Sequence, residues 1–378
     1  MKVCDVVLNS VWYDPRVRKQ LVEYKAQGVD VVCVGLKCRR YDEGKLSLIP
    51  CDYVIVDPDS KYKGKQKSII AKLKRERDIR NAICDAIVAA KPDVIHANDL
   101  NALIPAYRAA KKLGCGLVYD SHEIWVENFF LGGKKMYARY LKRKEKRIAK
   151  RVDQMVCVSN AAAEYFEKEY KIKKPLVVTN CSLKSEASFE RTGKNPGFEI
   201  LNHGQFYEGR GYELMIEAAR LLGDHPEIKM ALRGYGRIEE KLHKMAEGAE
   251  DGVVFYPPVL VSELIPEASR SMVGVAITLP ICMNFKLSVS NKLFEYASAG
   301  LPVIMSDIPE HRYLNEKYNF GIIIPENTPE AFAEAAKKLY TDKELYATLA
   351  EGAARLSDEV NWEGDFARLI SREREILK

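Results

Sequence analysis

The chain has 378 residues, 47% hydrophobic and 30% charged, and its net charge of +6 is unevenly spread: residues 1–190 carry 37 Lys and Arg against 24 Asp and Glu, and residues 191–378 carry 22 against 29. This length exceeds one compact core and suits two domains of about 150–200 residues, while the composition excludes a fibrous, low-complexity or wholly disordered chain. No run reaches the roughly 18 apolar residues that span a bilayer, so neither a signal peptide nor a transmembrane segment is expected and the protein reads as cytoplasmic.

Residues 2–8 read as a first strand with the acidic Asp5 inside it. Asp14-Pro15 then starts a helix, because a carboxylate can accept from the free first-turn amides and proline lacks the N–H that would be left over there. Gly28 ends that helix. Strands follow at 29–35, 52–56, 94–97, 116–119, 154–158 and 176–178, alternating with amphipathic helical stretches, which is the pattern of a parallel sheet with helices on both faces. Residues 182–198 lose this periodicity to Ser, Lys, Glu, Asn, Gly and Pro and read as a linker. The alternation then resumes: strand 199–202, helix 212–222, strand 228–232, a helix from 238, strand 253–256, helix 262–270, strand 274–278, helix 292–299 and strand 302–305. Three helical stretches close the chain, at 329–340, 343–356 and 366–377.

The expected fold class is therefore α/β, with two Rossmann-like doubly wound domains facing a central cleft. The first covers residues 1–185, the second residues 196–360, and a helix within 361–378 packs back across to the first. Open α/β sheets bind ligands outside the carboxyl ends of their strands, which makes the motifs at those ends the informative ones. The nine cysteines are scattered, with no Cys-x-x-Cys pair, and read as reduced core residues.

Three segments of the second half could carry chemistry. Asn202 to Tyr212 joins a strand end to a helix start, with Gly204, Gly209 and Gly211 allowing close backbone approach and Arg210 supplying a fork-shaped cation suited to a diphosphate. A glycine-rich turn with a solvated Arg would read the same way. Arg233-Gly234-Tyr235-Gly236 repeats the strand-to-helix turn, a weak signal on its own. In the run from Ser288 to Ile304, Ser290 or Asn291 can cap a helix whose N-terminus attracts phosphate, and Glu295, one turn in, can accept from a ribose diol; a capped surface helix with one exposed Glu is the bland alternative.

The run Asn291-Lys292-Leu293-Phe294-Glu295-Tyr296, followed by Ala299-Gly300-Leu301-Pro302-Val303-Ile304, resembles the donor-site signature of family 4 glycosyltransferases and relatives, retaining enzymes of the GT-B fold, and the likeness extends along most of the chain. By that resemblance Glu295 holds the ribose, and Arg210 and Gly211, joined by Lys292, hold the diphosphate, with Gly204, Gly234, Ser290 and Asn291 around them. In the first half Asp14-Pro15-Arg16-Val17, His96-Ala97-Asn98-Asp99 and Tyr119-Asp120-Ser121-His122-Glu123 resemble the family's acceptor domain. The likeness places His122 beside the transferring sugar, where an imidazole can donate to a hydroxyl or to developing charge. Asp120 and Glu123 are further catalytic candidates, and Asp14, Arg16, Asn98 and Asp99 stand on the acceptor side.

Three departures from the family pattern bear on the donor. Leu287 stands where a Glu commonly lies eight residues before Glu295, Asn9-Ser10-Val11-Trp12 replaces a Gly-Gly loop after the first strand, and Gln205 replaces an Arg before the diphosphate turn. The implied activity is transfer of a sugar from a nucleotide-diphosphate sugar, UDP before GDP, to a glycan or lipid-linked acceptor in cell-surface polysaccharide or glycoconjugate synthesis. Nothing asks for a metal or other cofactor beyond the nucleotide-sugar itself.

Two basic stretches lie in the first half, 61–80 and 134–151. In the second, Lys142, Arg143, Lys146 and Arg147 interleave with apolar residues at helical spacing, giving a cationic amphipathic helix that suits an anionic membrane surface and a peripheral location at its inner face; a solvated helix face is the alternative. A nucleotide-sugar epimerase on the same scaffold is the nearest rival reading. A nucleic-acid-binding module would explain the basic half but not the anion-ready loops of the acidic half, so no nucleic-acid partner is expected. A nicotinamide dehydrogenase is disfavoured, since no Gly-x-Gly-x-x-Gly follows the first strand.

Overall fold

The computed structural model describes residues 1–11, 14–37, 43–58, 60, 68–128, 133–190 and 192–378. Trp12, Cys38 and the basic residues of 61–67 lie outside them. The chain divides into two compact units, Met1–Thr179 with Glu363–Lys378, and Asn180–Trp362.

The first unit runs β1 (Lys2–Val7), α1 (Pro15–Ala26), β2 (Asp30–Leu36), β3 (Asp52–Val56), α2 (Ile69–Ala90), β4 (Val94–Asn98), α3 (Asp99–Leu113), β5 (Gly116–Ser121), α4 (Lys135–Ala149), β6 (Gln154–Cys157), α5 (Asn160–Tyr170) and β7 (Leu176–Val177). Among the described residues its sheet has seven strands in the order β3-β2-β1-β4-β5-β6-β7, and every pairing is parallel. Central strands of such a sheet are covered on both faces, so Val3, Cys4, Val6, Val94, Ile95 and Ala97 are all fully buried. The Asp14 side chain accepts from the Arg16 and Val17 amides and Pro15 opens α1, as the sequence dictates. The order reverses at β1, flanked by β2 and β4, which puts the ends of β1, β4 and β5 at the switch point.

The second unit runs β8 (Phe198–Gln205), α6 (Tyr212–Leu221), β9 (Ile228–Tyr235), α7 (Glu239–Ala246), β10 (Val253–Tyr256), α8 (Leu264–Ala268), β11 (Val273–Ala276), α9 (Met283–Leu287), α10 (Asn291–Ser298), β12 (Val303–Ser306), α11 (Pro309–Tyr318), β13 (Gly321–Ile324), α12 (Pro329–Thr341) and α13 (Lys343–Glu359). Its sheet, again among the described residues, is β10-β9-β8-β11-β12-β13, with the reversal at β8. Its core joins Ile200, Met215, Leu232, Val275, Ile304 and Phe332 from both faces.

Several boundaries differ from the sequence reading. β8 and β9 extend three residues further because their pairing continues through Gly204 and Gly234 to Gln205 and Tyr235. The helix expected over 262–270 is a 3-10 turn (Val261–Glu263) running into the short α8. β13 is an addition to the expected strands. The final helix α14 (Trp362–Ile376) starts four residues before the expected position, and from Glu363 onward it belongs to the first unit.

Candidate functional site

At the carboxyl end of β8 the second unit has a cavity of about 320 Å³, lined by His203, Gly204, Gln205, Tyr207, Arg210, Tyr212, Leu264, Ser288, Val289, Ser290, Asn291, Lys292 and Glu295. Gly204, Arg210, Ser290, Asn291, Lys292 and Glu295, read separately from the sequence, share this one wall. Close backbone packing makes the wall possible. A Cβ on Gly234 (φ +149°) would lie 1.9 Å from the Gly204 carbonyl oxygen, and one on Gly211 (φ +78°) would lie 2.5 Å from Ile277 Cβ. Only glycine fits these left-handed and crowded positions. Gly211 and Gly234 thus shape the loops rather than line the cavity.

Arg210 is held before any ligand arrives. Its Nε donates to Tyr207 Oη at 2.7 Å, and its guanidinium stacks 5.0 Å from the Tyr207 ring and 4.7 Å from the Phe285 ring. The end of β8 sets the other two charges. Asn202 Oδ1 accepts from Lys292 Nζ at 2.7 Å, while its Nδ2 donates to the Arg210 carbonyl at 3.0 Å. His203 Nε2 lies 2.8 Å from Glu295 Oε2, and the His203 ring packs 4.5 Å from Tyr296. Because Lys292 and Glu295 are three apart on α10, consecutive strand residues seat two charges on one helix face. Burial, reinforced by the neighbouring Arg210 charge, pushes the Lys292 ammonium down to about 7, with Glu295 pulling the other way.

The expected serine cap is not made: Ser290 occupies the N-cap of α10 without a side-chain hydrogen bond to the first turn. The positive end of that helix dipole therefore faces the cavity uncapped by its own serine. Leu287, where a carboxylate would be usual, ends α9 and does not line the cavity. His203 and Asn202 lie in a segment that the sequence marks, but nothing local singles them out; a polar pair at a strand end that must also be buried is the available signal.

In the first unit the acceptor-side residues form a buried polar network. Arg16 donates through Nε and Nη2 to the two carboxylate oxygens of Asp120 at 2.9 and 3.0 Å, and through Nη1 to the Val178 carbonyl at 2.9 Å. Gln20 Nε2 donates to Asp120 Oδ2 at 2.8 Å. His96 lies between Asp120 Oδ2 (3.4 Å) and Glu373 Oε1 (3.0 Å), and Tyr24 Oη donates to the same Glu373 oxygen at 2.6 Å. Burial opposes charge on these groups, yet Arg16 and the nearby histidines hold Asp120 well below the usual carboxylate range. Hydrogen bonds to Asp120 and Glu373 likewise carry His96 up to about 10 against its own burial.

This arrangement bears on several of the expected site residues. Asp120 is fully buried and bonded to Arg16, Gln20 and His96, with His122 Nε2 3.7 Å from its Oδ2, so it acts beneath the histidines and not at an open surface. Arg16, 2% exposed, is its counter-ion. Asp14 spends Oδ1 on the α1 cap. Asn98 is buried and joins Asp5 to His122, and Glu123 Oε2 accepts from Asn128 Nδ2 at 2.7 Å. His122 and Asp99 stay partly open, at 16% and 25% side-chain exposure, with Nδ1 and Oδ2 3.6 Å apart.

On α4, Lys142 bridges to Glu127 and Glu169 at 2.8 and 3.1 Å, and Lys146 donates to the Glu169 carbonyl. These two cations are thus paired within the unit's own surface. Arg143 and Arg147 are exposed, as are Met136, Tyr137 and Tyr140. For metals, an Asp-x-Asp triplet does occur, Asp57-Pro58-Asp59, but Asp57 pairs with Lys37 at 3.0 Å and Asp59 lies outside the described residues. Among the described residues no group of three or more His, Cys, Asp or Glu is placed to hold a metal ion, and no helix is long and apolar enough to cross a membrane.

The model of Glycosyltransferase Family 4 matches residues 16–182 and that of Glycosyl transferases group 1 matches residues 197–342. No curated protein matches the sequence. Among solved structures, the sucrose-phosphate synthase of Thermosynechococcus elongatus is similar with a TM-score of 0.78 at 14% identity, over 100% of this chain and 99% of that one. A glycosyltransferase from Rickettsia africae gives 0.76 at 14% identity over 100% and 98%. HepE of Anabaena, in complex with UDP and glucose, gives 0.74 at 14% identity over 98% of both chains. At these identities the likeness establishes the fold.

Proposed function

We propose that this chain, whose residues 16–182 and 197–342 match in order the Glycosyltransferase Family 4 and Glycosyl transferases group 1 models, is a glycosyltransferase of the GT-B fold that moves a sugar from a UDP-sugar to a glycan or lipid-linked acceptor with retention of configuration. One observation carries the donor side of this reading: Arg210, Lys292, Glu295 and the N-terminus of α10 line a single cavity of about 320 Å³ at the switch point of the second sheet. A volume at the small end of ligand pockets, with few convergent polar groups, suits part of a nucleotide-sugar.

Departure of a nucleoside diphosphate builds negative charge on the β-phosphate. A preorganised guanidinium, an ammonium and helix amides offset that charge, each such donor being worth roughly 3–4 kcal/mol in the transition state. On this reading Glu295 takes the ribose hydroxyls, Arg210 and Lys292 take the diphosphate, and no divalent ion is required. UDP is favoured because HepE, of the same fold, was solved with UDP and glucose. By the family likeness His122, with Asp99 beside it, is the first unit's candidate for acting on the transferring sugar, and retention follows the same likeness.

The exposed face of α4 fits an acceptor at a lipid surface. Met136 and Tyr140 are 84% and 56% exposed, and Arg139, Arg143 and Arg147 recur on the same helix at every fourth residue, so apolar and cationic groups face outward together. This supports peripheral association with an anionic membrane, where a cytoplasmic enzyme of cell-surface glycoconjugate synthesis would meet a lipid-linked acceptor. Co-sedimentation with phosphatidylglycerol vesicles at low salt tests it, and absence of the protein from the vesicle pellet removes the membrane arm of the reading.

A ligand-stability screen across UDP-, GDP- and other nucleotide-sugars tests the donor arm, because a ligand that binds the folded state raises Tm by mass action. The expected result is a shift with UDP-sugars that Arg210→Ala and Glu295→Ala abolish. Shifts left unchanged in both variants would put the donor elsewhere.

A further inference from the structure

Asp5 is a carboxylate in the middle of β1, 0% exposed, at a position where a strand covered on both faces ordinarily takes an aliphatic residue. Burial pushes it up to about 7, against the pull of His96 and Asn98, so packing alone does not account for an acid there. Its Oδ1 accepts from Asn98 Nδ2 at 2.6 Å, and its Oδ2 has no partner among the described residues. The same Asn98 nitrogen reaches the Val6 carbonyl at 3.2 Å.

These two acceptors fix the orientation of the Asn98 amide, with nitrogen toward β1 and oxygen toward His122 Nε2, 3.0 Å away. An amide oxygen accepts and cannot donate, so Nε2 must carry the ring proton. The nitrogen left over is Nδ1, 3.6 Å from Asp99 Oδ2. Asp99 is itself committed: it holds φ +65°, a left-handed conformation uncommon for aspartate, while its Oδ1 accepts the His122 backbone N–H at 3.0 Å. A strained residue held against a partly open imidazole is a pattern that marks functional sites.

We propose that Asp5 is a positioning residue for His122: acting through Asn98, it commits the ring proton to Nε2 and makes Nδ1, beside Asp99, the nitrogen offered to the substrate. The inference rests on the reading that His122 meets the transferring sugar, and extends it by naming the atom and the buried group that selects it. The chain of control is β1 to β4 to the end of β5, three strands adjacent in the sheet.

The test uses the full chain with 15N-labelled histidine, its ring nitrogens observed by NMR at a pH where the imidazole is neutral, and the His122 signal assigned by its loss in His122→Gln. Wild-type protein is expected to show His122 protonated on Nε2; a ring protonated on Nδ1 would overturn the proposal without any variant at Asp5. In Asp5→Ala the Nε2-protonated signature is expected to be lost, and in Asp5→Asn, which keeps an acceptor oxygen for Asn98, it is expected to return. A ring signature identical to wild type in Asp5→Ala overturns the role of Asp5. UDP release from UDP-glucose supplies the second readout, with kcat in Asp5→Ala about 10²-fold lower and KM unchanged. If His122→Ala releases UDP as fast as wild type, the reading of His122 fails, while the spectra still decide whether Asp5 sets its tautomer.

Discussion

His203 Nε2 stands 2.8 Å from Glu295 Oε2, and since a carboxylate only accepts, the imidazole donates through Nε2 and aims Glu295 from behind. The ring is fixed by its packing against Tyr296, whose hydroxyl accepts the His203 backbone N–H at 3.0 Å. His203→Phe keeps the ring and removes the donor. UDP affinity measured by calorimetry is expected to fall by about tenfold, the worth of one hydrogen bond to a charged group, and Glu295→Ala is expected to cost more. Equal affinity in His203→Phe and wild type would show that Glu295 needs no support.

Arg210 is preorganised by stacking as well as by charge. In Arg210→Ala, kcat is expected to drop by about 10²–10³-fold, as for loss of one donor to developing oxyanion charge. Arg210→Lys should recover little of it, because an ammonium can neither stack between Tyr207 and Phe285 nor present a fork to a diphosphate. Steady-state kinetics on both variants check this, and a fully active Arg210→Lys enzyme would reduce the residue to a point charge.

How far the sequence can carry these conclusions depends on the kind of signal. Alternation of apolar runs and amphipathic stretches marks the central strands to within a few residues, since burial on both faces leaves an unbroken aliphatic pattern. It passes over β13, an apolar run opened by Gly321 and closed by Pro325, both of which read locally as turn signals. Arg210 is legible because a guanidinium between two glycines past a strand end has few structural uses, and Lys292 and Glu295 because the helical run that holds them resembles a known donor-site signature. For Asp120 and Arg16 the sequence shows a carboxylate and a guanidinium at strand and helix ends, and only the fold shows that they pair with each other. His203 and Asp5 act through other side chains, and such pairings between distant strands and helices leave no mark in local spacing.

The Gly204 and Gly234 pair links fold to site, since the cavity wall exists only where β8 and β9 approach this closely. Gly234→Ala must displace the Gly204 backbone, as its Cβ would sit 1.9 Å from a carbonyl oxygen. A loss of about 2–4 kcal/mol, or roughly 5–10 °C in Tm, is expected for a unit of this size. Gly248, at φ +77° with nothing within 4 Å of where a Cβ would stand, supplies the contrast: Gly248→Ala should cost only the left-handed penalty of about 1–2 kcal/mol. Thermal melts that rank the two the other way would contradict the packing at β8 and β9.

Lys292 makes donor binding a proton-coupled event. With the free-state ammonium pushed down to about 7, much of it is neutral at physiological pH, and a diphosphate placed beside it favours the charged form. Binding of UDP is therefore expected to take up a proton above pH 7, and affinity to fall as pH rises further, by at most tenfold per unit. Calorimetry in buffers of different ionisation enthalpy reads the uptake directly, and Lys292→Met should remove it. Binding heat independent of the buffer in wild-type protein would show that Lys292 does not meet the phosphates.

Glu373 gives the last helix its hold on the first unit, and pH should reveal it. His96 is raised in the folded protein to about 10 from an ordinary 6.5, so the folded state binds more protons across that interval. Its contribution to stability is complete below pH 6.5 and is lost as pH climbs through 10. Lys292, lowered in the other unit, works in the opposite direction, as its cost to the fold is relieved over the same range. A single melting profile therefore mixes the two, and the difference between wild type and Glu373→Gln separates them. The variant weakens the acceptor that supports the His96 charge, and breaking such a buried pair is expected to cost about 3–5 kcal/mol. The loss should be largest near pH 6 and shrink toward pH 10, where wild-type His96 has itself given up its proton. A Tm difference constant from pH 6 to pH 10 would mean that Glu373 packs α14 without supporting a charge on His96.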